Sequence, residues 1–165
     1  MKTIIRGGII LGLLVTVFIV LHGALGLHKN LGMAWLFPTV ATLIEIVVLV
    51  WALRQTAAQG RRYFGQVSAG TMLAFVGGAL IFGTSYLYQT MFQPNFVTEM
   101  NAAWEAAYRA QGLDEAAIQA KLATLAPSLA AGMQAVTGFA ATVITGLVAS
   151  LLIAIGIRSR GPQAA

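Results

Sequence analysis

"TLIEIVVLVW", residues 42–51, sets one carboxylate, Glu45, in a run that is apolar apart from Thr42. A helix of this composition has no polar face to offer water, so it belongs in hydrocarbon or in a large apolar core. The chain has only 165 residues, 58% of them hydrophobic and 9% charged, where a soluble domain carries about 25% charged residues. One water-soluble core of this size cannot hide such an excess, and lipid or other apolar subunits must face it.

Working outward from Glu45, four apolar stretches cover residues 4–27, 31–53, 66–92 and 129–157. Each is long enough to cross a hydrocarbon layer of ~30 Å as a helix. Helices are required because a lone span must satisfy its own backbone hydrogen bonds in lipid. The expected fold is therefore all-α: a single polytopic membrane domain over 1–165, a four-helix bundle with four transmembrane helices. Only "HKN" (28–30) separates the first two runs, which predicts a tight hairpin. The first run follows Lys2 and Arg6, as a signal peptide would, but it is longer than such a core and "LHGALG" offers no small-x-small cleavage site. It reads as a retained span.

With four spans, Lys2, Arg6, Arg54, Arg61, Arg62, Arg158 and Arg160 fall on one side, which the positive-inside rule assigns to the cytoplasm together with both termini. The insert at 93–128 falls on the other side and is mildly acidic, with Glu99, Glu105, Asp114 and Glu115. Val97, Met100, Trp104 and Tyr108 recur there at helical spacing, and Gly112 ends that helix. Asp114 is placed to cap a second helix, whose Ile118, Leu122 and Leu125 share a face, before Pro127 opens the last span. An amphipathic helical pair results. Trp104 and Tyr108 are residue types that anchor at headgroup depth, so the pair is expected on the outer leaflet, over the bundle, or against a partner.

Helices in lipid associate through close packing, which small residues allow. Gly138, Thr142, Gly146, Ser150 and Ala154 follow at intervals of four in the last span. Shorter versions are Gly70, Ala74 and Gly78 in the third span and Gly8, Gly12 and Thr16 in the first. These stripes are expected to pack helices, against the chain's own bundle or against a second chain.

An ionisable residue at membrane depth is a functional candidate because its charged form costs roughly 2.5–3.5 kcal/mol there on insertion scales. Glu45, with Thr42 one turn away, is the candidate intramembrane polar site. A neutral carboxyl would bond to Thr42, and Pro38 would free a further carbonyl. A proton or substrate path needs more acidic, His or Lys groups, and the spans add only His22 and hydroxyls such as Thr84, Ser85, Tyr86 and Tyr88. The structural hydrogen bond is thus the preferred reading. His22 reads as an interfacial side chain near water, since a haem held by two histidines would need a second one on a facing helix. With no cysteine, thiolate metal sites and cysteine nucleophiles are excluded. No phosphate loop, metal cluster, nucleophile elbow or carboxylate pair is present in the sequence, so neither an enzyme nor a cofactor is expected. The net charge of +5 clusters at span ends, not along a soluble face, which argues against nucleic acid as a partner.

The chain resembles the bacterial membrane-protein family catalogued as domain of unknown function 4199. The resemblance rests on the basic start before a Gly-rich first span, "YFGQVSAG" (63–70) entering the third, "YLYQTMFQPNF" (86–96) leading into a helical insert, and the small-residue last span with its basic tail. It implies a small four-span protein of the bacterial inner membrane and brings no functional residues. The expected role is a non-catalytic accessory or structural subunit that packs against other membrane chains or itself within the lipid bilayer. The alternatives are a small oligomeric transporter or channel using Glu45, and a lipid- or pigment-binding component.

Overall fold

The computed structural model describes residues 1–157; Arg158 and Arg160, counted above for sidedness, lie outside them. Six α-helices follow in order: α1 (Lys2–Ala24), α2 (Leu36–Ala58), α3 (Tyr63–Leu87), α4 (Phe96–Ala110), α5 (Glu115–Leu129) and α6 (Ala131–Gly156). Four of them, α1, α2, α3 and α6, lie in segments long and apolar enough to cross a membrane.

Three helices stop at a glycine. Gly60 (φ +81) and Gly112 (φ +79) take the left-handed conformation after α2 and α4. In both, the next residue's N–H turns back to the helix, Arg61 to the Thr56 carbonyl and Leu113 to the Tyr108 carbonyl, which satisfies a terminal acceptor. Gly26 (φ +65) also takes the left-handed conformation after α1, where its own N–H donates to the Gly23 carbonyl. That stop makes the first connection longer than the three residues expected. It runs over 25–35 and contains two 3-10 turns, Leu27–Lys29 and Leu31–Met33. Leu31 and Met33 are apolar enough to extend a hydropathy window without being in a helix.

Pro127 does not open the last span. It sits in the final turn of α5, and the chain bends at Ala130, whose φ of −60° and ψ of 137° are extended. Ser128 Oγ donates to the Leu125 carbonyl, and Gln134 Nε2 donates to the Ser128 carbonyl across the bend. Asp114 does cap α5, accepting from the Ala117 N–H at 2.8 Å.

The four long helices form a ring in the order α1–α3–α6–α2. The register is readable from where added β-carbons would collide. A β-carbon added to Gly8 would stand 2.6 Å from Val76 Cβ, and one added to Gly12 2.6 Å from Leu80 Cβ, so α1 and α3 run parallel. Gly70 lies on Ser150, and Gly146 on Ala74, so α3 and α6 run antiparallel. The small-residue stripe of α6 is thus spent inside the chain's own bundle, with Gly146, Ser150 and Ala154 buried. Thr142 donates to the Gly138 carbonyl of its own helix at 2.9 Å. A hydroxyl pair, Thr16 Oγ1 and Thr84 Oγ1 at 2.8 Å, adds a polar link between α1 and α3.

Packing is uneven along the bundle axis. In the half nearer Lys2 and Ile157, Leu49, Leu53 and Leu73 are almost wholly buried. Gln66 Nε2 closes that end by donating to the Arg61 and Ile157 carbonyls. Leu13, Val17, Leu43, Val47, Ile144 and Leu152 point outward from the helices, as a lipid-facing surface requires. The half nearer the insert is hollow.

Candidate functional site

Glu45 lies nine residues into α2 from Leu36, roughly 14 Å at 1.5 Å per residue and near the helix midpoint. It is only 4% exposed. Its Oε1 rests against Gly146 of α6, where a β-carbon would stand 2.9 Å away. Below this level the side chains close the bundle; above it they do not. Small or short residues, Ala41, Gly138, Ala141 and Thr145, face the space between α2 and α6, and a cavity of about 430 Å³ remains with Glu45 at its base. This lies in the size range of small-molecule sites, roughly 300–1,000 Å³.

The expected bond from Thr42 is not made. Thr42 lines the same cavity, but Glu45 Oε1 has no hydrogen-bond partner among the described residues. Pro38 contributes nothing to it either. It stands in the first turn of α2, where a backbone N–H has no partner within the helix in any case. The carboxyl is therefore not the self-contained contact that local spacing suggested.

His22 is half-buried near the end of α1. It lines the cavity, with its ring edge-on to Phe37 at 5.3 Å between centroids, and Phe37 stacks on Phe18 at 5.4 Å. Its Nε2 is buried without a partner among the described residues. His28 reaches the same cavity from the first connection.

The insert covers the far end. Phe96, Met100 and Trp104 of α4 line the cavity, and Trp104 stacks on Tyr108 at 5.6 Å. Glu99 ties α4 to the first connection by accepting from His28 Nε2 at 2.9 Å and Lys29 Nζ at 3.0 Å. These hydrogen bonds, His28's first and Lys29's second, hold the Glu99 carboxyl below its usual range. A second exposed cluster joins the two insert helices, with Arg109 bonded to Glu105 at 2.6 Å and to Glu115 at 3.1 Å.

Several lining residues carry signals that pattern reading passed over. Gln134, Thr137, Ala141 and Thr145 recur at helical spacing beside the small-residue stripe, so α6 has a polar edge as well as a small one. Gln89 and Gln93 also line the cavity, brought there by a π-turn over Tyr88–Phe92 in which the Gln93 N–H reaches the Tyr88 carbonyl at 3.0 Å. Such turns occur often at functional sites. Among the described residues no group of three or more His, Cys, Asp or Glu side chains is placed to hold a metal ion.

A family model described as "Protein of unknown function (DUF4199)" matches residues 6–159, nearly the whole chain. The chain belongs to the DUF4199 family. The matched region spans all four long helices, the insert and every cavity-lining residue named above, so the cavity lies wholly within the DUF4199 region. No curated protein and no solved structure matches the chain.

Proposed function

We propose that this DUF4199 protein is a non-catalytic integral protein of a bacterial inner membrane that admits a small molecule into its intramembrane cavity, with both termini cytoplasmic and the insert outside. The observation that carries this reading is Glu45: a buried carboxyl at the base of a cavity of about 430 Å³, with Oε1 lacking any protein partner among the described residues. A structural carboxyl would be bonded, because an unmet buried acceptor costs roughly 1–3 kcal/mol. The accessory-subunit reading draws on the small-residue stripes and the insert's helical pair as surfaces for other chains, and of these the α6 stripe is buried against α3. That favours the ligand-binding alternative.

The test is a comparison of wild type with Glu45→Gln, both purified in mild detergent and matched for helical content and melting. Mass spectrometry of the extracted small molecules is expected to find a species retained by wild type and lost from Glu45→Gln. A Glu45→Gln protein that retains the same molecules, or that loses its fold, would return Glu45 to a structural role.

A further inference from the structure

The cavity's chemistry limits what it accepts. No Lys or Arg is among its lining residues. The cation beside it, Lys29, already lies 3.0 Å from Glu99. An anionic ligand would therefore meet Glu45 with no cation to offset it.

Besides the ring nitrogens His22 Nε2 and His28 Nδ1, which donate or accept with the tautomer, the unmet groups of the cavity are acceptors. Glu45 Oε1 and Gln89 Oε1 are both buried and without partners among the described residues. His28 Nε2 faces a carboxylate oxygen of Glu99, and its Nδ1 is also buried and unmet. An alcohol brings one donor to such a set, whereas an ammonium brings three donors and a charge opposite to that of an ionised Glu45 carboxylate. Beside the hydroxyl and amide edge of α6, apolar and aromatic side chains including Leu11, Val15, Ile81, Phe37 and Trp104 line the cavity, and ring faces attract cations as well as burying hydrocarbon.

We infer that the cavity takes a primary amine carried on an apolar body, its ammonium at Glu45 and its body along the aromatic wall toward Trp104. This rests on the reading of the cavity as a binding site.

Three probes with one body and different heads separate the two claims: 4-phenylbutylamine, 4-phenylbutan-1-ol and 4-phenylbutanoate. Each is titrated into the full chain in lipid nanodiscs, with empty nanodiscs subtracted. The amine is expected to bind roughly ten-fold to a hundred-fold more tightly than the alcohol, the gain typical of a charged hydrogen bond. The acid is expected to bind most weakly. Glu45→Gln should bring the amine down to the level of the alcohol. Ala141→Phe, which narrows the cavity over an intact carboxyl, should weaken amine and alcohol alike.

Amine binding no tighter than the alcohol's in wild type overturns the ligand class even where Glu45→Gln cannot be made. A preference that survives in Glu45→Gln overturns it too. Binding of none of the three overturns the cavity reading and the amine with it.

Discussion

Glu45 and Gly146 share one space. A β-carbon on Gly146 would stand 2.9 Å from Glu45 Oε1 and collide with the β-carbon of Ala74, so this glycine seats the carboxyl and lets α3 and α6 touch. Gly146→Ala is expected to cost about 1–3 kcal/mol, the range for overpacking a close contact. Gly138→Ala, where the nearest atom is Ile81 Cγ2 at 3.9 Å, is expected to stay within about 1 kcal/mol of wild type. Reversible unfolding in bicelles reads both. Equal costs at the two glycines would show that the α3–α6 contact is looser than described.

Removing the carboxyl should help the fold. Because Glu45 Oε1 is buried with no partner among the described residues, Glu45→Met is expected to stabilise the chain by about 1–3 kcal/mol, the cost of an unmet buried acceptor. The same unfolding measurement applies. A loss of that size would mean that the carboxyl holds helices together.

The Thr16–Thr84 hydroxyl pair links α1 to α3 at 2.8 Å. Thr84 Oγ1 also reaches the Leu80 carbonyl of its own helix, so Thr16→Val leaves no orphaned donor. A double-mutant cycle with Thr16→Val and Thr84→Val is expected to give a coupling of about 0.6 kcal/mol and no more than ~1.7 kcal/mol.

Docking of α4 should depend on acid. Hydrogen bonds from His28 and then Lys29 lower the Glu99 carboxyl, and a group depressed in the folded state stabilises above its unfolded pKa, near 4.3 for Glu. The clasp is thus fully formed at neutral pH and is lost as pH falls through the lowered value. Emission from Trp104 is expected to shift in that acidic window in wild type, and to show no such transition in Glu99→Gln.

Much of the bundle was legible because hydropathy over 20 or more residues has few alternatives in lipid, and because Gly112 and Asp114 carry local rules for stopping and starting helices. The first connection looks shorter in sequence than the gap between α1 and α2 for a physical reason: Leu31 and Met33 are apolar in a 3-10 turn that continues the membrane-span candidate Leu31–Ala58, and hydropathy does not separate such a turn from an α-helix. The site was half legible. Glu45 announced itself as a carboxylate in hydrocarbon, but its surroundings depend on where α2 and α6 stop touching. Spacing along one helix pointed to Thr42 and Pro38, whereas the residue against the carboxyl is Gly146, on another helix. Gln89, Gln134 and His28 join the site only through the bundle's three-dimensional register, which no single-helix pattern contains.

The chain has no cysteine, so single-cysteine labelling is free of background and tests the cavity directly. Thr142→Cys on the cavity wall, Leu43→Cys on the lipid-facing side of α2 and Val48→Cys in the closed half are treated in nanodiscs with a small, charged, water-soluble thiosulfonate. Rapid labelling of Thr142→Cys with the other two protected is the expected result. A Thr142→Cys protein as unreactive as Leu43→Cys would mean that no water reaches Glu45 and that the cavity is not a binding site.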